Sequence, residues 1–179
     1  MTPKVEPIRA LALSAITIWQ PWASLISEGA KRFEFRAWPA PTRLWGERIA
    51  IHAAARPMKL QEVRELLRRL KGPEWRSTGL VRKPAIALLE DILAGRAVIP
   101  LSSVVCTVKL GQPVRDKELA DRLGTVFVND SGRSEHSNWG WPLTEIERLV
   151  PVVPARGQQG WWFWTPSDAL GRVVLHTFE

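Results

Sequence analysis

A lysine, a glutamate and an arginine fall within six residues in the run Gly29-Ala30-Lys31-Arg32-Phe33-Glu34-Phe35-Arg36. On an extended strand Glu34 and Arg36, two apart, share one face. A carboxylate flanked by cations stays ionised and can accept from the amino group of a base. Arginine can meet a phosphate or a base carbonyl with two parallel hydrogen bonds, and lysine can meet either as a point charge. Gly29 lets a preceding helix end tightly, which puts Lys31 at the very start of the strand. There its side chain is not bound by the alternation and can join Glu34 and Arg36 at one mouth. The same spacing also describes a charge ladder on a half-exposed strand, where each pair is worth little. The residues alone leave both readings open.

Other chemistries find no matching pattern. His52, His136 and His176 are widely separated, and no cysteine stands at ligand spacing from them, so neither a metal site nor a cofactor is expected. Arg156-Gly157-Gln158-Gln159-Gly160 is a turn rich in donors, not a phosphate-cradling loop. No Ser-His-Asp set can be assembled. Cys106, the one cysteine, lies among Val104, Val105, Thr107 and Val108 and reads as a small core thiol. A lone cysteine excludes an internal disulfide and fits a reducing compartment.

The elements that must position the charged run can be read from pattern. Ala10 to Ile18 alternates and carries β-branched residues, predicting a first strand. Pro21 suits the first turn of a short helix over 22–28, stopped by Gly29. Lys31 to Trp38 alternates, with Phe33, Phe35 and Ala37 on one side and Arg32, Glu34, Arg36 and Trp38 on the other. Glu47 to Ala54 predicts a third strand. Leu60, Val63, Leu66, Leu67 and Leu70 recur at helical spacing, and a second helix is expected over 84–93. Val98 to Leu110 reads as a long strand bent at Pro100, followed by a surface helix over 115–123 and a short strand over 125–128. Asn129 to Asn138 is polar throughout and predicts a loop. Strands over 139–143, 149–153, 161–164 and 172–178 complete the chain. Several short strands with helices inserted after the third suggest an α+β fold, a small mixed β-barrel with peripheral helices. A loose lead-in over 1–9 would precede one domain over 10–179, with a helical insert at about 56–97.

Composition bounds what such a domain can do. The chain has 179 residues, of which 45% are apolar, enough to bury roughly 70% of its unfolded surface. The 25 Lys and Arg outnumber the 18 Asp and Glu, giving a net charge of +7 and a pI near 10.3. That excess favours polyanions through counterion release. No run approaches the roughly 20 apolar residues of a membrane helix. The apolar stretch over 10–18 meets Trp19-Gln20-Pro21-Trp22 where a signal peptide needs small residues. A soluble, cytoplasmic protein with no membrane partner is expected. Ten tryptophans and no tyrosine supply rings that can fill a core or stack on bases.

Taken together, three blocks are recognisable. They are Ser14 to Ile26 with its Trp19-Gln20-Pro21-Trp22-Ala23 core, Gly29-x-Lys31-x-x-Glu34-x-Arg36, and Gly46 with Ile49 to Ala54. Their order resembles the ASCH domain family. Trp139 to Leu143 and the Pro154 to Gly160 segment resemble the family's closing stretch. The resemblance implies a PUA-like β-barrel, with RNA or, in some members, DNA bound in a cleft. It carries over Lys31, Glu34 and Arg36 as cleft residues and Trp19, Gln20, Pro21 and Trp22 as the preceding wall. His52 ends the third-strand block and can face the same cleft, although a single strand histidine is more often a core residue. Family members that hydrolyse acetylated cytidine pair the signature lysine with a threonine three residues on. Here that position is Glu34, so the threonine nucleophile of that chemistry has no counterpart in the motif.

Three functions remain in view. The first is a nucleic-acid or nucleobase module. In it Lys31 and Arg36 hold phosphate or base oxygen, Glu34 accepts from a base edge, and Trp19, Trp22 or Trp38 offers a stacking face. Arg32, Arg43, Arg48, Arg133 and Arg156 extend the basic track. The second is an enzyme, a nuclease or nucleoside amidohydrolase, with Lys31 as base or phosphate clamp and Glu34 as its partner. The third is a protein-interaction module that docks through the aromatic run Trp161 to Trp164.

Overall fold

The structure is a computed structural model that describes residues 12–130 and 138–166, and the backbone of 174–177. The expected lead-in over 1–9, Arg133, His136 and the side chain of His176 lie outside the described residues. Within the described residues, eight strands and four α-helices follow in the order β1 (Leu13–Ile18), α1 (Trp22–Ser27), β2 (Phe33–Arg36), β3 (Arg48–Ala53), α2 (Leu60–Lys71), α3 (Arg82–Leu93), β4 (Ser103–Leu110), β5 (Val114–Arg115), α4 (Asp116–Leu123), β6 (Trp139–Pro154), β7 (Trp161–Trp164) and β8 (Val174–Thr177). Short 3-10 turns at Thr42–Leu44 and Trp75–Thr78 join them.

The strands form one mixed sheet in the order β2-β6-β4-β3-β1-β7, with β5 and β8 also paired to β6. Among the described residues only β1 and β3 run parallel, with Ser14 opposite Ile49 and Ile18 opposite Ala53. Between them the chain makes α1 and β2, the crossover that a parallel pair requires. Both faces of the central strands are covered. Ile16, Ile18, Ile49 and Ile51 enter one cluster with Val105 and Trp141. Ala15, Ala50 and Val104 enter another with Trp162 and Trp164. Within the 161–164 run, only Phe163 is left largely exposed. β2 and β7 end the hydrogen-bonded path, yet Trp161 of β7 stacks on Trp141 of β6 with centroids 5.7 Å apart and planes 12° off parallel. Side-chain packing, not backbone pairing, thus draws the curled sheet together.

α2 and α3 lie between β3 and β4. Val63, Leu66 and Leu70 of α2 meet Ala85, Leu89 and Ile92 of α3, with Leu25 of α1 against them. Helical periodicity predicts α2, and the second helix expected over 84–93 corresponds to α3. Elsewhere the fold corrects the sequence reading. The long strand expected from Val98 begins only at Ser103. Residues 125–128 form no strand; Val128 alone is buried, beside Phe35 and Leu119, while Val126 and Phe127 are exposed. The two short segments expected over 139–153 are one strand of 16 residues. It stays continuous through Glu145 at φ 46 by taking irregular register against β4, as bulged strands do.

Candidate nucleic-acid interface

The charged run is positioned from both ends. At its start, Gln20 anchors α1: its Oε1 accepts from the Ser24 amide at 3.0 Å, and its Nε2 donates to the Pro100 carbonyl at 2.7 Å. This satisfies one of the donors that a helix N-terminus leaves unpaired. Gly29, at φ 69, turns the chain out of α1, and the Lys31 amide returns to the Leu25 carbonyl at 2.9 Å. At its other end, β2 is held against β6, with Glu34 opposite Trp141 and Arg36 opposite Trp139.

Lys31 is 1% exposed. Its ammonium sits 4.8 Å from the Phe35 ring and 5.8 Å from that of Trp22. Two carboxylates enclose it: Asp130 in a direct hydrogen-bonded ion pair, and Glu34 at 3.4 Å. Glu34 in turn lies 3.0 Å from Arg36 Nε. Glu34 and Asp130 are 8% and 7% exposed, so the charges balance as two cations and two anions, which buried ions require. Burial pushes the Asp130 carboxyl above the usual carboxylate range; the Lys31 ammonium pulls it back and the Glu34 charge raises it further. The Arg36 Nε–H, though close to Glu34, is not aimed at its oxygen and is a buried donor without a hydrogen-bond acceptor.

Beside this cluster opens a cavity of about 1480 Å³. Glu34, Arg36, Asp130, Trp19, Trp22, Trp38, His52 and Arg156 all line it, together with Arg69 of α2 and the stacked pair Trp141 and Trp161. Trp38 is 56% exposed at its rim, and its carbonyl accepts from Trp141 Nε1 at 3.0 Å. The Arg56 guanidinium lies 4.2 Å over the Trp19 ring. His52 is buried; its Nε2–H donates to the Ala155 carbonyl at 3.0 Å, which leaves Nδ1 as the lone-pair nitrogen. That nitrogen has no hydrogen-bond partner. Gly157 packs so closely on it that a Cβ there would lie 2.5 Å from Nδ1. Burial moves the imidazole below its ordinary value near 6.5, so it is neutral at pH 7.

The structure therefore brings Glu34, Arg36, Trp19, Trp22, Trp38, His52 and Arg156 to one cavity. Lys31 stands behind the wall and does not line it, because its ammonium is enclosed by carboxylates and rings. Gln20 does not line it either; its amide is spent on α1 and Pro100. Of the residues expected to extend a basic track, Arg48 is held by Glu145 and Glu147 at 3.2 and 3.1 Å, and Arg43 does not line the cavity. Asp130, Arg69, Trp141 and Trp161 belong to the site but were not foreseen as such. Asp130 fell within the expected polar loop, and only a long-range pairing signal would have singled it out. Arg69 Nη2 fixes that segment by donating to the Asn129 carbonyl at 2.5 Å. Among the described residues no group of His, Cys, Asp or Glu could hold a metal ion, and no helix is long and apolar enough to cross a membrane.

A family model described as the ASCH domain matches residues 16–109, more than half of the chain. The protein belongs to the ASCH domain family, and its fold is α+β: a mixed sheet with helices at its periphery. Two solved structures are similar to it, both at a TM-score of 0.45. One is a serine-to-alanine mutant of ZmASCH from Zymomonas mobilis, 15% identical, covering 90% of this chain and 92% of that one. The other is ASCH from Zymomonas mobilis, 16% identical, covering 87% and 88%. No curated protein matches the chain.

Proposed function

We propose that this ASCH domain is a nucleic-acid-binding module that takes a base or nucleotide, of RNA before DNA, into the cavity beside β2. The observation that carries the reading is the meeting of Glu34 and Arg36 on a cavity wall that also carries Trp19, Trp22, Trp38, Trp141 and Trp161. Arg36 lines the cavity with its side chain partly exposed, and a phosphate or base carbonyl can accept from its guanidinium. Glu34 lies between the Lys31 and Arg36 cations and accepts from the amino edge of a base. Trp38, Trp19 and Trp22 line the cavity and offer π faces for stacking. Lys31 serves from behind, fixing Glu34 and Asp130. The net charge of +7 adds a general attraction for the backbone.

The hydrolase reading needs a base at the substrate, and Lys31 does not reach the cavity. The docking reading needs an aromatic patch, whereas Trp162 and Trp164 are core residues. Neither gains an observation of its own.

Titration of tryptophan fluorescence with single-stranded oligouridylate, repeated over a range of salt, tests the reading. Affinity should fall steeply with salt, and Arg36→Ala should lose about 1–3 kcal/mol of binding. An affinity indifferent to salt and to this substitution would sink the proposal.

A further inference from the structure

A second concavity, of about 290 Å³, lies where the start of β2 meets the 75–78 turn and α4. Arg32, Phe33, Trp75, Arg76 and Arg122 are among its lining residues, and none of those residues is acidic. Some exposed arginines are paired: Arg68 with Glu65, Arg96 with Asp91, and Arg122 itself with Glu118. Arg32 and Arg76 are exposed, and among the described residues neither has an ion pair. The Arg76 guanidinium lies 4.9 Å from the Trp75 ring. On the same ring rests Arg82, at 5.5 Å, whose Nε is occupied by the Leu70 carbonyl at 2.9 Å. Trp75 is thereby fixed with cations about it, and the pocket presents two guanidinium groups with unspent donors.

Arg32 and Arg36 belong to the same extended segment, four positions apart, which places their Cα atoms about 13 Å from each other. Arg36 faces the large cavity and Arg32 the small pocket. A single strand with a base in the cavity needs to continue only a short way to lay its backbone on Arg32.

We infer that the pocket formed by Arg32, Trp75 and Arg76 is a phosphate-binding subsite for the backbone of the nucleic-acid strand whose base occupies the cavity. The inference rests on the reading of the cavity given above. Its chemistry is charge-assisted and bidentate, suited to a phosphodiester and indifferent to base identity. Two points of contact also give the strand a direction across β2.

The experiment compares the wild-type protein with an Arg32→Gln/Arg76→Gln double variant and the two single variants. The probes are an oligouridylate of about 12 nucleotides, within the usual footprint of such modules, and uridine 5′-monophosphate. The double variant should bind the oligomer roughly tenfold more weakly at low salt. Its plot of log affinity against log salt should be shallower by about 0.7 for each phosphate lost. Each single variant should show part of the loss, and affinity for the mononucleotide should not change. Unaltered oligomer affinity and slope in the double variant, with Arg36→Ala still weakened, would overturn the subsite and leave the cavity reading intact. Equal weakening for both probes would place the effect in the cavity and overturn it as well. Failure of the wild-type protein to bind either probe would remove both readings together.

Discussion

Asp130 closes on the ammonium of Lys31 across 99 positions of sequence. Neither residue is exposed, and Lys31 also holds Glu34 at the edge of the cavity. A buried pair of this kind is costly to break from one side, because the remaining charge is left in a dry site.

Lys31→Met should therefore destabilise the fold by about 3–5 kcal/mol, and Asp130→Leu by a similar amount. The double variant Lys31→Met/Asp130→Leu should cost much less than the sum, since Glu34 still has Arg36 beside it. Urea unfolding of the four proteins in a double-mutant cycle provides the check. Strict additivity would mean that the two groups do not interact.

His52 makes stability depend on pH. Its imidazole is held neutral in the fold and titrates near 6.5 when free, so the unfolded chain binds the proton more readily. The stability it contributes is present above pH 6.5 and is lost as pH falls through and below that value. Asp130 works in the opposite sense. Its raised carboxyl binds a proton more readily in the fold, so its contribution is present below the ordinary value of 3.8 and is lost as pH rises. Between pH 7 and 5 the histidine should lower stability as it takes up its proton in the unfolded chain. His52→Gln should flatten the decline of the denaturation midpoint over that window, and an unchanged decline would count against this role.

The two glycines that bracket the 157–160 turn should differ in what alanine does to them. At Gly157 a Cβ would meet His52 Cε1 at 2.3 Å and Thr17 Oγ1 at 2.8 Å. Gly157→Ala should cost about 1–3 kcal/mol through overpacking and disturb the His52 ring. At Gly160 there is open space but φ is +72, so Gly160→Ala should cost about 1–2 kcal/mol from the backbone alone. Thermal unfolding measures both, and the nuclear magnetic resonance signals of the His52 imidazole should move only in the first.

Tryptophans at the rim and in the wall should separate binding from stability. Trp38→Ala should weaken oligouridylate binding by about 1–3 kcal/mol and leave the unfolding midpoint nearly unchanged. Trp141, 1% exposed and stacked on Trp161, should cost about 3–5 kcal/mol of stability as alanine. A Trp38→Ala protein that binds at full strength would remove the stacking role assigned to that ring.

How much of this was legible in the chain depends on distance along it. The Lys31, Glu34 and Arg36 constellation could be read because its spacing is local, and α2 because its apolar row repeats every turn. Asp130 could not: Asn-Asp-Ser-Gly reads as loop chemistry whether or not its carboxylate reaches a lysine. Glu34 was placed with the polar face of β2, which was right about its direction. That face, however, turns inward on a cavity, and alternation cannot tell a cavity from bulk water. Thr125 to Val128 has strand-like residues but no partner strand, and pairing, not propensity, decides such a segment. Pro142, Glu145 and Pro151 interrupt the pattern of β6 enough to suggest two pieces. Only its pairing with β4 and β2 shows that it is one.

The pairing of β2 with β6 has a consequence for how the molecule is made. Residues 33–36 leave the ribosome about a hundred residues before 139–142, the stretch they dock on, and β1 waits still longer for β7. The nascent chain must carry Lys31, Glu34 and Arg36 undocked, with their charges in water, while the two central helices are already able to form. Non-local closure of this kind slows folding. The binding groove is thus among the last parts of the protein to exist, and it should arise only once β6 has been translated and laid down between β2 and β4.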